Sequence, residues 1–323
     1  MNILITGGTG FIGGKLIQKL LENREHKVTL LTRYSTDEIK YTYLKNQDVE
    51  IRKVNIANQS EIKTVFMSSF DWVFHIAAIR GGGHGTKEDY IKSNVNYTKF
   101  LAEEILKQSG KFIFCSSVGV FGTIPQELPP TEQTERVGDN YYHLSKILAE
   151  RELQKMVKNG LNLIIIRPTI TYGIDDYGFP FSLIKMVDKG IFFRCRNTKI
   201  HLLDVNYLVK AFIKSATLNL KNGSAYNVVD KNPVEIYDLI NFISQKLKGK
   251  NYSKLKTLPK VIFRIGEKFS KLLINEIWKT RFELISENWY YDSKIVEKEL
   301  KITPKETIPN FEYVIDWYKG LKV

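Results

Sequence analysis

Six short runs rich in β-branched and aromatic residues recur through the first half of the chain. They are NILIT (2 to 6), KVTLLT (27 to 32), VEIRKVNI (49 to 56), DWVFHIAA (71 to 78), KFIFCSS (111 to 117) and LNLIIIRP (161 to 168). Between them lie segments of helical length; the first carries apolar residues at Phe11, Ile12, Leu16, Leu20 and Leu21. Strands alternating with helices in this way predict βαβ units, and hence an α/β fold built on a doubly wound parallel sheet with right-handed crossovers. Ligand is then expected at the carboxyl ends of the strands.

The first turn narrows the expectation. TGGTGFIG places Gly7, Gly10 and Gly13 at three-residue intervals between the first strand and the first helix. Glycine suits such a turn because a pyrophosphate must approach the backbone and the helix must pack closely on the strand. Free N–H groups at the helix start then hold the anion. The chain therefore reads as a dinucleotide binder of the Rossmann type. The second strand ends in Thr32 and Arg33, with no carboxylate before Asp37. That end suits a 2′-phosphate, so NADP(H) is expected ahead of NAD(H).

A second constellation lies in YYHLSK, residues 141 to 146. Lys146 follows Tyr142 by one helical turn on the same face. A tyrosine has an ordinary pKa of about 10, and a fixed ammonium nearby favours the phenolate. Such a pair can exchange a proton with an alcohol or a ketone.

These residues together resemble the extended short-chain dehydrogenase/reductase superfamily, in its epimerase/dehydratase and reductase branch. The resemblance rests on TGGTGFIG (6 to 13), HIAA (75 to 78), NVNYT (94 to 98), CSSVGVFG (115 to 122), Tyr142 with Lys146, RPTITYG (167 to 173) and HLLDV (201 to 205). It implies a Rossmann domain over residues 1 to 168 and a smaller, mostly helical substrate domain over 169 to 323, with segments near 200 to 230 returning to the main sheet. It implies Ser117 as the active-site serine and Tyr142 as general acid/base. Lys146 would lower the phenol pKa and bind the nicotinamide ribose, and Asn94 would support a proton-relay water. Gly7, Gly10, Phe11, Ile12 and Gly13 would contact the pyrophosphate, Asn55 and Ile56 would lie near the adenine, and Ala77 and Ala78 would line the cleft. Thr32, Arg33, Arg167 and Pro168 complete the expected cofactor contacts. A homodimer is expected too, since family members pair through two helices each.

Departures from the family shape the functional expectation. Sugar-nucleotide dehydratases carry an Asp-Glu pair after the active-site Ser or Thr; this chain has Val118 and Gly119, so dehydration is not expected. An asparagine usual in nucleotide-sugar enzymes is replaced by Ile170, and only SENWYYDSK (286 to 294) stands where a diphosphate-gripping stretch is usual. The first expectation is an oxidoreductase moving hydride between cofactor and a ketone or secondary alcohol; the substrate class extends to anionic or nucleotide-linked carbonyl and alcohol compounds. The alternative is a nucleotide-sugar epimerase with retained NAD+, and third comes a non-enzymatic redox sensor.

The remaining features bound the setting. Nowhere do about 18 apolar residues run together and the start carries no charged leader, so a cytoplasmic protein is expected. Cys115 and Cys195 lie far apart, and the five histidines form no ligand pair, so no metal is expected. The glycine-rich IRGGGHG (79 to 85) reads as a loop at the end of the fourth strand. The net charge of +13 concentrates between Lys246 and Arg281, where eleven lysines and arginines face only Glu267 and Glu276. Residues 258 to 281 fit a basic amphipathic helix. Packing on its own domain is the first reading, attraction of an anionic substrate the second and membrane-surface contact the last. No nucleic-acid motif accompanies the charge, and nucleic acid is not an expected partner.

Overall fold

The computed structural model describes residues 1–45, 47–81, 85–272 and 276–322. In chain order the strands are β1 (Asn2–Thr6), β2 (Lys27–Arg33), β3 (Val49–Val54), β4 (Trp72–His75), β5 (Lys111–Cys115), β6 (Asn162–Pro168), β7 (Ile170–Tyr172), β8 (Lys199–Ile200), β9 (Leu202–Asp204), β10 (Ser224–Val228) and β11 (Val234–Glu235). Seven of them form one sheet in the order β10-β6-β5-β4-β1-β2-β3, every pair parallel. Ile3, Leu4 and Ile5 of β1 are fully buried, as are Phe112, Ile113 and Phe114 of β5. Continuous apolar runs of this kind are what a sheet covered by helices on both faces requires.

The order reverses at β1, whose neighbours are β2 on one side and β4 on the other. The crevice at this switch point is where a doubly wound sheet accepts its ligand. Its floor is narrow: a Cβ on Gly7 would fall 2.6 Å from the Ala77 nitrogen, and Gly7 has φ +78°. Below it His75 is buried between Thr6 and Thr98, its Nδ1 2.6 Å from one hydroxyl and its Nε2 2.8 Å from the other.

The return of the second half to the main sheet differs from expectation. Ser224–Val228 does pair with β6, but Leu202–Asp204 pairs instead with β7, and Ile200 with Val234 of β11. Asp204 must cap the Val205–Thr217 helix, accepting from the Asn206 and Tyr207 N–H groups, which ends the strand after three residues. Pro233 precedes β11, and the helix that follows runs Ile236–Lys248. The Lys260–Leu272 helix starts directly after Pro259. The glycine segment 82–84, with His84, lies outside the described residues. No described helix is long and apolar enough to cross a membrane.

A buried polar cluster ties the C-terminal segment to this frame. Asp230 accepts from Tyr172 Oη at 2.8 Å, Thr307 Oγ1 at 2.7 Å and the Asp204 N–H at 2.9 Å. Asp204 Oδ2 accepts in turn from Asn310 Nδ2 at 2.6 Å and Tyr313 Oη at 2.9 Å. Burial lifts the Asp230 carboxyl to about 7 despite these donors, with the Asp204 carboxylate adding to the rise. A carboxyl raised above its unfolded value stabilises fully at acid pH, and the contribution is lost as pH rises through about 7. His75, pushed down to about 3 chiefly by burial, acts in the opposite sense and destabilises as pH falls below its unfolded value. The Asp230→Asn variant keeps His75 but loses the first effect. Its melting temperature relative to the parent should therefore climb between about pH 5 and about pH 8; parallel curves would remove Asp230 as a titrating group.

Candidate active site

The site is assembled from the ends of β1, β4 and β5 and the first two turns of the Tyr141–Val157 helix. At the end of β1 the Phe11–Leu21 helix starts at Gly10 with no side-chain cap, leaving its first N–H groups for a ligand. A Cβ on Gly13 would lie 2.3 Å from the Gly7 carbonyl oxygen, whereas one on Gly10 would meet only that oxygen, at 3.4 Å. Gly13 is thus required by packing, and Gly10 keeps open the space in front of the helix start. A dinucleotide pyrophosphate fits this cradle, with Phe11 and Ile12 at its edge.

At the end of β5, Ser116 and Ser117 diverge. Ser116 donates to the buried Glu150 at 2.6 Å, while Ser117 begins a short 3-10 turn and accepts the Gly119 N–H at 3.0 Å. The Ser117 side chain lies close enough to the Tyr142 phenol to draw its pKa downward. Asn140 starts the helix by accepting the His143 N–H at 2.9 Å, a capping geometry that directs Tyr142 and Lys146 toward β5. Lys146 is buried, donates to the Cys115 carbonyl at 2.7 Å and lies 4.7 Å from the Phe114 ring centroid. The structure therefore brings Ser117, Tyr142 and Lys146 together.

The electrostatics of this trio differ from the reading of Lys146 as the group that lowers the phenol pKa. Lys146 Nζ sits 6.0 Å from the Tyr142 ring centroid and is committed to Cys115. Burial raises the phenol above its usual value, with the Cys115 thiol adding to the rise; Ser117 and Arg80 pull it down. Burial also lowers the Lys146 ammonium to about 8, against Cys115 and Glu150. Both groups thus lean toward their neutral forms because the low-dielectric site disfavours either charge.

Several expected contacts are used differently. Asn94 accepts the Ile79 N–H at 2.8 Å and donates to the Ile79 carbonyl at 2.9 Å and to Ser145 at 3.0 Å. Its amide fastens the β4 loop to the Tyr141–Val157 helix. It reaches this position on a π-helical turn, Ile91–Asn96. Arg167 is fully buried and grips Glu150 at 2.8 and 2.7 Å, so its guanidinium does not reach the cofactor cleft. Pro168 is buried and pairs with Val228. Thr32 donates to Thr36 at 2.8 Å, and Arg33 is exposed at the end of β2. Asn55 caps the Ala57 N–H at 3.0 Å, and Ile56 packs on the apolar core beside β3. Ala77 and Ala78 are half-buried at the crevice, the Ala77 N–H donating to Thr6 at 3.2 Å.

Two residues near Tyr142 have no sequence motif. Arg80, whose carbonyl accepts from Tyr90 Oη at 2.8 Å, exerts its charge on both Tyr142 and Asp176. Asp176 is buried, with Oδ1 accepting the Gly178 N–H at 3.0 Å and Oδ2 lacking a hydrogen-bond partner among the described residues. Burial raises its carboxyl. Glu150 was legible in principle, lying four residues beyond Lys146 on one helix face.

Gly119 faces His143, whose Nδ1 is held by Asp139 and Asn140. A Cβ at position 119 would fall 2.3 Å from the imidazole Cδ2 and Nε2. The imidazole therefore fills the space in which a side chain at 119 would start, and a carboxylate there is sterically excluded. The Gly119→Ala variant should lose about 1–3 kcal/mol of stability by overpacking. Adding His143→Ala should restore most of it in chemical denaturation; an undiminished loss in the double variant would show that the contact is not the cause.

Residues 3–228 match the family model described as the NAD dependent epimerase/dehydratase family. A UDP-glucose 4-epimerase of Caenorhabditis elegans is 30% identical over 217 residues, 58% of this chain and 62% of that protein. The N-acetyl-alpha-D-glucosaminyl-diphospho-ditrans,octacis-undecaprenol 4-epimerase of Escherichia coli O157:H7 is 25% identical over 77% of this chain and 73% of its own. The match thus spans less than two thirds of the nematode enzyme's length. The solved UDP-glucuronic acid 4-epimerase of Bacillus cereus, in complex with NAD, shares the fold with a TM-score of 0.78, 20% identity and 100% of both chains covered. With the glycine cradle and the Ser117, Tyr142 and Lys146 trio in place, the chain belongs to the NAD dependent epimerase/dehydratase family.

Proposed function

We propose that the protein is an NAD-dependent sugar epimerase, acting on a carbinol of a nucleotide-linked or other diphosphate-linked sugar. The observation that carries this reading is the Ser117–Tyr142–Lys146 cluster beside the glycine cradle, with no carboxylate at 118 or 119 to remove a second proton. The epimerases among its relatives support it over the ketone reductase put first from sequence. The cradle of Gly7, Gly10 and Gly13 would hold NAD+, which would supply a reversible hydride acceptor for the carbinol carbon, return to the opposite face of the ketone being what inverts the centre. Ser117 holds the carbinol oxygen by a hydrogen bond, and Tyr142 takes its proton as the ketone forms and gives it back as the alcohol re-forms. In this reading Lys146 donates one of its remaining N–H groups to a ribose hydroxyl, and Asn94 keeps the β4 loop against the helix that carries both groups.

The reading sets NAD+ before the NADP(H) expected from Thr32 and Arg33, because an epimerase must keep its cofactor through the cycle and the family is NAD-dependent. In it Arg33 flanks the adenosine end without a phosphate partner. The reductase is kept as a second reading on the strength of the carboxylate-free end of β2. A homodimer through the helix carrying Tyr142 is part of the proposal.

Two outcomes are expected. Denaturing the purified protein should release close to one NAD+ per chain; an empty protein that binds NADPH reversibly would favour the reductase. The Tyr142→Phe variant should lose about 10²–10⁴-fold in turnover with its nucleotide content unchanged. Activity near the parent level would reject Tyr142 as the acid/base.

A further inference from the structure

The exposed apolar side chains of this protein are unevenly placed. Of fourteen large hydrophobic residues exposed among the described ones, six fall in two short segments: Ile191 and Phe193, then Leu255, Val261, Ile262 and Ile265. Leu255 is 91% exposed, Val261 57%, and Ile262 and Ile265 47% each. Chain geometry joins the two segments. Arg194 pairs with Thr257, the Leu258 N–H donates to the Arg194 carbonyl at 2.9 Å, and Lys256 Nζ lies 5.9 Å from the Phe193 ring centroid.

The Lys260–Leu272 helix shows which side is left over. Phe263 is buried, and a Cβ on Gly266 would touch the Phe282 ring at 3.1 Å, so the 263/266 side packs on the Glu276–Ser286 helix. Val261, Ile262 and Ile265, spaced three and four apart, share the other side and stay in solvent. Cations flank them: Lys254, Arg264 and Lys268 are exposed, and Lys260 and Arg264 pair with Glu287. A self-packing helix would bury its branched apolar residues, and an anion-steering patch would have no use for them. Exposed apolar residues rimmed by lysine and arginine complement a surface that offers both hydrocarbon and negative charge.

We propose that this face, formed by residues 191–193 and 254–268, docks the protein on an anionic lipid bilayer. Val261, Ile262, Ile265 and Leu255 enter the boundary between headgroups and acyl chains, and the surrounding lysines and arginines lie among the phosphates. This inference does not rest on the epimerase reading.

The test is co-sedimentation of the full chain with phosphatidylcholine–phosphatidylglycerol vesicles at physiological salt, beside pure phosphatidylcholine vesicles. Binding to the anionic vesicles alone is expected, and it should weaken as salt is raised. The Ile262→Glu/Ile265→Glu double variant should lose at least about tenfold in partitioning while its circular dichroism and bound nucleotide stay unchanged. Lys254→Glu should weaken binding without touching the apolar side. Absence of the parent protein from the anionic pellet would overturn the proposal, as would a double variant that partitions like the parent. Sedimentation velocity without lipid supplies the remaining arm: an oligomer split by the double substitution, with no vesicle binding by the parent, would make the face a contact between copies and reject the lipid assignment.

Discussion

The position of the Tyr141–Val157 helix depends on one buried ion pair. Glu150 is fully buried and meets the Arg167 guanidinium through two hydrogen bonds, with Ser116 donating as well and Arg136 3.1 Å away. A buried charge persists only when it is paired and hydrogen-bonded, and removing one partner of such a pair typically costs about 3–5 kcal/mol. Burial alone would raise the Glu150 carboxyl, but Arg167, Arg136 and Ser116 hold it below the ordinary range. Since Tyr142, Lys146 and Glu150 follow one another at four-residue intervals, fixing Glu150 over β6 turns the other two toward the end of β5. A structural contact thereby sets the geometry of a chemical one.

Within that frame the same burial pushes the two chemical groups in opposite directions, the phenol up and the ammonium down. Neither is simply tuned by the other. Burial keeps the proton on Tyr142, with Ser117 and Arg80 drawing its pKa down, while Lys146 donates to the Cys115 carbonyl in front of it. In this setting the neutral phenol is the favoured form, so giving a proton is easier for Tyr142 than taking one. Asn94 contributes by holding the Ile79 backbone, which also brings Arg80 into the neighbourhood of the phenol.

The C-terminal part is tied in differently. Asp204 caps a helix with one oxygen and receives Asn310 and Tyr313 with the other, while Asp230 links it to Tyr172 and Thr307. Four segments distant in sequence thus converge on two carboxylates. Beyond this knot the chain exposes a basic apolar face that the described residues leave uncovered.

Much of this was legible in the residues alone. The six β-rich runs each contain a strand of the main sheet, and the glycine turn, Ser117, Tyr142 and Lys146 stand together at its carboxyl end. Local chemistry is enough for these, because alternation, glycine spacing and a one-turn Tyr-Lys interval are short-range properties of a chain. Other assignments depended on partners far away. Arg167 looked available until Glu150 was beside it, Asn94 until Ile79 and Ser145 were, and the 200–205 segment read as a main-sheet strand until Asp204 was needed as a cap. Gly119 looked like a missing carboxylate, but the fold makes it the floor beneath His143. The sequence by itself determined the sheet, the cradle and the grouping of Ser117, Tyr142 and Lys146. Only the tertiary structure decided which polar side chains remain free for a ligand, because a buried hydrogen-bonding group takes whatever partner the fold sets within reach.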